Sequence, residues 1–204
     1  MDAGTPPSPF ALPIVDPTLR ALYRHWLDAR SGGLDARSGG GADSTRLLPA
    51  RLLPARRAID PMAIPAVLPN LFLYTYDAAQ DRFYCRLAGE QINDMVGTLC
   101  SKRFLDQIFQ PPVLQVVHAR YRAVVTGPTL LHMHGVVKMA NGLKVPGERL
   151  VLPLGDDGVA GDALVGASVY HLPLPGQPTA TWVGEDFLSI VEPGVPPPGW
   201  RLPD

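Results

Sequence analysis

Residues 71–87 read LFLYTYDAAQDRFYCRL. Two aromatic, β-prone runs, 71–76 and 82–87, flank the polar stretch DAAQD. That arrangement predicts a β-hairpin. Strict alternation along the second run puts Phe83, Cys85 and Leu87 on one face and Arg82, Tyr84 and Arg86 on the other.

Downstream the hydrophobic period changes. After Ala88-Gly89, EQINDMVG predicts a short helix ended by Gly97, and Gly89 is read as permitting the turn into it. KRFLDQIF (102–109) predicts a second short helical piece. Pro111-Pro112 opens a longer helix, VLQVVHARYRAVVT, stopped by Gly127-Pro128. Three strands follow, at 129–139, 148–155 and 162–172, with turn signals at Asn141-Gly142 and Asp156-Asp157-Gly158.

Upstream, Asp60-Pro61 looks like an N-cap and first turn of a short helix reaching about Val67. Asp16-Pro17 repeats that signature. Behind it Leu19, Leu22, Tyr23, Trp26 and Leu27 recur at helical spacing, and glycines from Gly32 onward stop the helix. The order is two strands, short helices, one longer helix and three strands. It predicts an α+β fold: a five-stranded antiparallel sheet with helices on one face, plus an N-terminal flanking helix at 17–29. The expected organisation is a flexible N-terminus (1–16), a flanking helix and loop (17–60), the main domain (61–172) and a Pro-rich tail (173–204). The tail carries one apolar patch, FLSIV (187–191).

Two duplications lie between the flanking helix and the domain. LDARSGG occurs at 27–33 and 34–40, and RLLPA at 46–50 and 51–55. Solenoid units need about 20 residues or more to form a supersecondary element. Units of seven and five residues are too short. Loops tolerate insertion at low entropic cost, so both read as expansions of one loop, expected to be unstructured. The competing reading, a short partner-binding motif in RLLPARLLPARR, has less to support it.

Of the 204 residues, 46% are hydrophobic and 18% charged, with a net charge of −1. A core is available, and nothing in the charge balance favours a nucleic-acid or membrane partner. Two cysteines imply no disulfide framework. The first residues lack a basic segment followed by an apolar one, so a cytoplasmic location is expected.

The order of elements resembles the PAS fold. Trp26 near the first helix, then LPARRAIDPMAIPAVLPNLFLY, FYCRLAGEQI with Gly97, and Glu148 before LVLPLG are similar to one PAS family. It comprises small, mostly single-domain proteins found widely in alphaproteobacteria. The resemblance covers about Leu19 to Leu172. One departure is Ser101, where such proteins often carry a second glycine after Gly97, and it unsettles the contacts of 100–104. The family implies sensing or protein interaction, ligands held between the sheet and its helices, and dimers formed through flanking helices.

On that basis the candidate ligand-binding residues are Phe83, Cys85, Leu87, Phe104, His118, Tyr121, Met133 and Val137. His118 falls within the apolar arc of the long helix. The resemblance makes it a candidate axial ligand for haem, since haem-binding PAS domains carry one on the corresponding helix. The ordinary reading, a histidine at the core's edge bonded to a backbone carbonyl or water, outweighs that. The cofactor is otherwise unknown. His132 and His134 project from one strand face, opposite Leu131, Met133 and Val137. They are expected to point away from the pocket, toward solvent or a dimer partner, and no further metal ligands are identifiable. Cys85 is expected to be buried and Cys100 to be an exposable loop thiol. Arg86 and Glu148 read as sheet charges, Arg86 exposed, with a salt bridge as their plainest role.

No nucleophile, base and acid come together. Ser168 in GASVYH lacks the G-x-S-x-G setting, and GDDGVAG sets acids where a phosphate would sit. The expected function is therefore a non-catalytic sensor or adaptor that binds a small molecule or a regulatory protein. It would act through protein contacts, with helix 17–29 docked on the sheet or pairing two copies as a homodimer. The alternative is an interaction module with a filled core and no ligand.

Overall fold

The computed structural model describes residues 12–30, 53–138, 144–170 and 184–189. The hairpin forms as β1 (Leu71–Asp77) and β2 (Arg82–Ala88). Then come α2 (Glu90–Val96), α3 (Leu105–Ile108) and α4 (Val113–Thr126). β3 (Thr129–Lys138), β4 (Lys144–Leu154) and β5 (Ala163–Tyr170) follow, and α1 (Pro17–Arg30) precedes them all. The expected five strands run antiparallel in the order β2-β1-β5-β4-β3. A sixth, β6 (Gly184–Ser189), extends the sheet beyond β3, pairing Thr129 with Ser189 through His134 with Gly184. The Pro-rich tail supplies this strand, which is not among the five expected. β3 would otherwise be a sheet edge with unpaired backbone groups.

Both faces of the sheet are covered, and alternation sorts the strand residues between them. One layer holds Phe72, Tyr74, Phe83, Cys85, Leu131, Val151 and Leu164, packed against Val117, Tyr121, Val124 and Val125 of α4. The other holds Leu71, Leu130, Leu150, Leu152, Val165 and Ala167 beneath Leu19, Leu22 and Trp26 of α1. Helix α1 thus spends its apolar face on the sheet. Trp26 is fully buried and donates its indole N–H to the Pro153 carbonyl at 2.9 Å. Burying a side chain of that size stabilises by roughly 2–3 kcal/mol. Asp16 caps α1 as its sequence suggests: Oδ1 accepts from the backbone N–H of Thr18 at 2.7 Å.

The segment after Asp60 forms two 3-10 pieces, Pro61–Ala63 and Pro65–Asn70, rather than one α-helix. Pro65 has no N–H to continue an α-helical ladder. Gly97 ends α2 in the left-handed conformation, φ 79°, as expected. Gly89 has an ordinary φ of −68°. Its importance is space: a Cβ there would lie 2.2 Å from the Leu68 carbonyl oxygen and 2.3 Å from that of Pro69. Close approach of two backbones, and not turn geometry, requires glycine at this position.

Ser101 has its own task. Its Oγ accepts the backbone N–H of Ala88 at 3.0 Å, next to reciprocal backbone bonds joining Cys85 to Lys102 and Arg103. Most of the duplicated stretch, and its expected lack of structure, lies outside the described residues. The end of the second RLLPA is described. Leu53 is fully buried in the α1-side layer, and its N–H donates to Gly158. Among the described residues no helix is long and apolar enough to cross a membrane.

Candidate functional site

The helix-side layer carries the candidate site. Between the hairpin, α3 and α4 lies a half-open cleft of 290 Å³ lined by Asp81, Arg82, Phe83, Leu105, Asp106, Leu114, Gln115 and His118. Its floor is apolar, with Phe83 and Leu105 buried. Its rim is polar and fixed. Arg82 grips Asp106 through two hydrogen bonds of 3.0 and 3.1 Å and lies 3.7 Å over the Phe104 ring. Asp81, at φ 50°, accepts the Tyr76 hydroxyl at 2.6 Å and pairs with Arg122 at 3.4 Å.

His118 sits at this rim, half-buried, its ring edge-on to Phe83 at 5.5 Å. Its Nε2 donates to the Asp81 backbone oxygen at 2.8 Å, and the Asp81 carboxylate is 3.6 Å away. The nitrogen that haem would need is committed to the hairpin, so these residues do not fit an axial haem ligand. The ordinary reading of His118, a core-edge histidine on a carbonyl, describes it.

Phe83, Cys85 and Tyr121 meet in the buried layer, with Met133 half-buried against it. Phe72, Tyr74, Phe83 and Tyr121 form a chain of ring contacts with centroids 5.4–6.0 Å apart. Leu87 does not join them. The β1–β2 register shifts between Leu73 and Tyr74, which pair with Leu87 and Cys85, so Arg86 is an extra residue. This bulge turns Leu87 to the opposite face, where it is 38% exposed. Phe104 is also outside the layer: it bridges to Tyr84 along the outer edge of β2, ring to ring at 5.2 Å. The Val137 side chain lies outside the described residues, although its backbone pairs with Val145.

Both cysteines are buried, which corrects the expectation of an accessible Cys100. The Cys100 N–H donates to the Asn93 side chain at 2.9 Å, holding the loop inward. Burial pushes the Cys85 thiol up to about 11, more than hydrogen bonds with Tyr74 and the Leu87 carbonyl lower it. Burial also raises Cys100. Neither is a ready thiolate.

Deeper along the same layer is a group that alternation alone did not single out. Arg149 of β4 faces the helices. Its Nε donates to the Ser168 hydroxyl at 2.6 Å and its Nη2 to the Tyr170 hydroxyl at 3.3 Å. Its guanidinium is 5.8 Å from the Phe72 ring. Burial opposes the charge, and the phenolic oxygens of Tyr170, Tyr121 and Tyr74 more than offset that.

The opposite face holds the histidine pair. As expected, it points away from the helix-side layer, and the two rings lie 5.8 Å apart. His132 is nonetheless 1% exposed, not at solvent or an interface. Its Nε2 lies 2.7 Å from Glu148 Oε1, which also accepts Val15 N–H at 2.8 Å, while Oε2 accepts Asp16 N–H at 2.7 Å. With backbone donors on both oxygens, Glu148 acts as a carboxylate and His132 donates to it. The strand charge thereby anchors the chain entering α1. Arg86 is exposed, as expected. Among the described residues no cluster of three metal-ligating side chains occurs.

A family model described as PAS domain matches residues 16–169. The chain belongs to the PAS domain family. Solved structures resemble this PAS chain at the level of fold. A Rhodobacter sphaeroides LOV protein is 19% identical with a TM-score of 0.40, over 54% of this chain and 65% of that one. VqmA bound to DPO is 13% identical with a TM-score of 0.40, over 54% and 56%. The PAS domain of an HTR-like protein from Haloarcula marismortui is 13% identical with a TM-score of 0.32, over 52% and 87%. The PAS chain thus spans less than two thirds of the LOV protein and of VqmA. No curated protein matches the chain.

Proposed function

We propose that this PAS domain is a sensor or adaptor without catalysis of its own, which takes a small molecule on the helix side of its sheet and signals through a partner protein. The observation that carries the reading is the cleft of 290 Å³, with Phe83, Leu105 and Leu114 below and fixed polar groups at the rim. Ligand sites are concave and mostly apolar with a few placed polar groups, from roughly 300 Å³ upward. A ligand that wedges α4 from the hairpin would shift populations, because it binds the two arrangements unequally.

The test is to extract freshly purified protein for mass spectrometry, record its absorption spectrum, and screen metabolites by thermal shift. A co-purified molecule or a stabilising compound is expected, with the response lost in Leu114→Trp, which fills the cleft. An empty extract together with a silent screen sinks the reading. The second reading, an interaction module without a ligand, draws on the ring contacts of Phe72, Tyr74, Phe83 and Tyr121, which fill much of the layer. It predicts that Leu114→Trp leaves partner capture intact.

A further inference from the structure

Arg149 stands at an inward position of β4, paired across the sheet with Met133 and Ser168. An inward arginine ordinarily meets a carboxylate, because an uncompensated interior charge is costly. Arg149 has none. Among the described residues its hydrogen-bond partners are two neutral hydroxyls, those of the fully buried Ser168 and the half-buried Tyr170. These use Nε and Nη2 and hold the guanidinium plane in place. Arg120 of α4 is shifted downward by burial and then by the charge of Arg149. The setting is otherwise aromatic, with Phe72 at 5.8 Å and Tyr74 and Tyr121 near enough to act on the charge. Arg149, Tyr170 and Met133 are only half-buried at this end of the layer.

We infer that Arg149 is the recognition residue of a site for a small carboxylic acid with an apolar body, seated against β4 and β5 on the helix side of the sheet. This rests on the sensor reading that a small molecule is taken on the helix side of the sheet, assigns its class, and places its carboxylate outside the lining of the 290 Å³ cleft. A planar fork fits the two oxygens of a carboxylate, and the surrounding rings accept a hydrocarbon body better than a hydrated phosphate. The guanidinium is already held in place before an anion arrives, so little ordering is needed on binding.

The test uses the full chain at constant ionic strength, by calorimetric titration and thermal melting. The probes are benzoate and hexanoate, the neutral benzyl alcohol and hexanol, and inorganic phosphate. At least one carboxylate is expected to bind about tenfold or more tighter than its neutral counterpart and than phosphate. Arg149→Lys keeps the charge without the fork and should lose about tenfold. Arg149→Met should abolish the preference while the unliganded melting temperature holds or rises, since replacing an interior charge by an apolar side chain is often neutral or stabilising. If Arg149→Met does not fold, Arg149→Lys decides. Equal binding of carboxylate and alcohol, tighter binding of phosphate, unchanged binding in Arg149→Lys, or no binding by any probe overturns the inference. Equal binding of the neutral compounds would leave the sensor reading standing and remove only the carboxylate.

Discussion

Replacing Glu148 by alanine tests the anchor that joins α1 to the sheet. Glu148 is 3% exposed and accepts three hydrogen bonds of 2.7–2.8 Å, from Val15 N–H, Asp16 N–H and His132. Hydrogen bonds to a charged group contribute about 1.5–3 kcal/mol each, but not additively. The alanine removes the acceptor shared by two buried residues, Asp16 and His132, and by the exposed Val15, and breaking a buried pair from one side costs about 3–5 kcal/mol. We expect Glu148→Ala to lose that amount, a large share of the roughly 5–15 kcal/mol that stabilises a domain. Glu148→Gln retains one acceptor oxygen and should lose less. The assay is urea denaturation followed by circular dichroism, with hydrogen exchange over residues 12–30. Exchange should rise first at Val15, Asp16 and the opening turn of α1. In a double-mutant cycle, His132→Ala should be sub-additive with Glu148→Ala by about 0.5–3 kcal/mol. A loss below about 1 kcal/mol, or unchanged protection of α1, would refute the anchor.

Three further outcomes follow from the same packing. Gly89→Ala should cost about 1–3 kcal/mol in urea denaturation through overpacking alone, because its φ of −68° suits any residue while its Cβ would strike two backbone carbonyls; a neutral effect would mean the contact relaxes. Native protein at pH 8 should leave a thiol reagent unconsumed until it unfolds. Since Cys85 ionises near 11 when folded and near 9 otherwise, its contribution is full below about pH 9 and is lost as pH rises toward 11, so stability should fall in that window. Flat stability from pH 8.5 to 11 (a titration range) would contradict the burial. Removing one LDARSGG and one RLLPA should leave the melting temperature nearly unchanged, whereas Leu53→Ala should cost about 2–5 kcal/mol, because one RLLPA copy supplies a fully buried leucine; a large loss on deletion would make both copies structural.

The sequence by itself determined the elements whose cause is local. Asp16 and Pro17 start α1, Gly97 stops α2, and DAAQD turns the hairpin; each depends on a few neighbouring residues. The succession of elements then admitted a PAS sheet, strand alternation placed Phe83 and Cys85 inside, and helical spacing placed Tyr121 there. Tertiary structure decided whatever depends on the opposite surface. Alternation reports that His132 and Met133 face apart, but not that α1 seals the first face, so His132 and Glu148 become an interior pair. The same covering explains Arg149. In ERLVLPL, Glu148 and Arg149 point to opposite faces, and with both faces packed neither charge reaches open water freely. One signal was available: adjacent opposite charges in a strand bounded by leucines. A one-residue bulge at Arg86 reversed Leu87, and one carbonyl fixed His118 to the hairpin. Neither leaves a periodic trace, because each is set by the distance between backbones far apart in the chain.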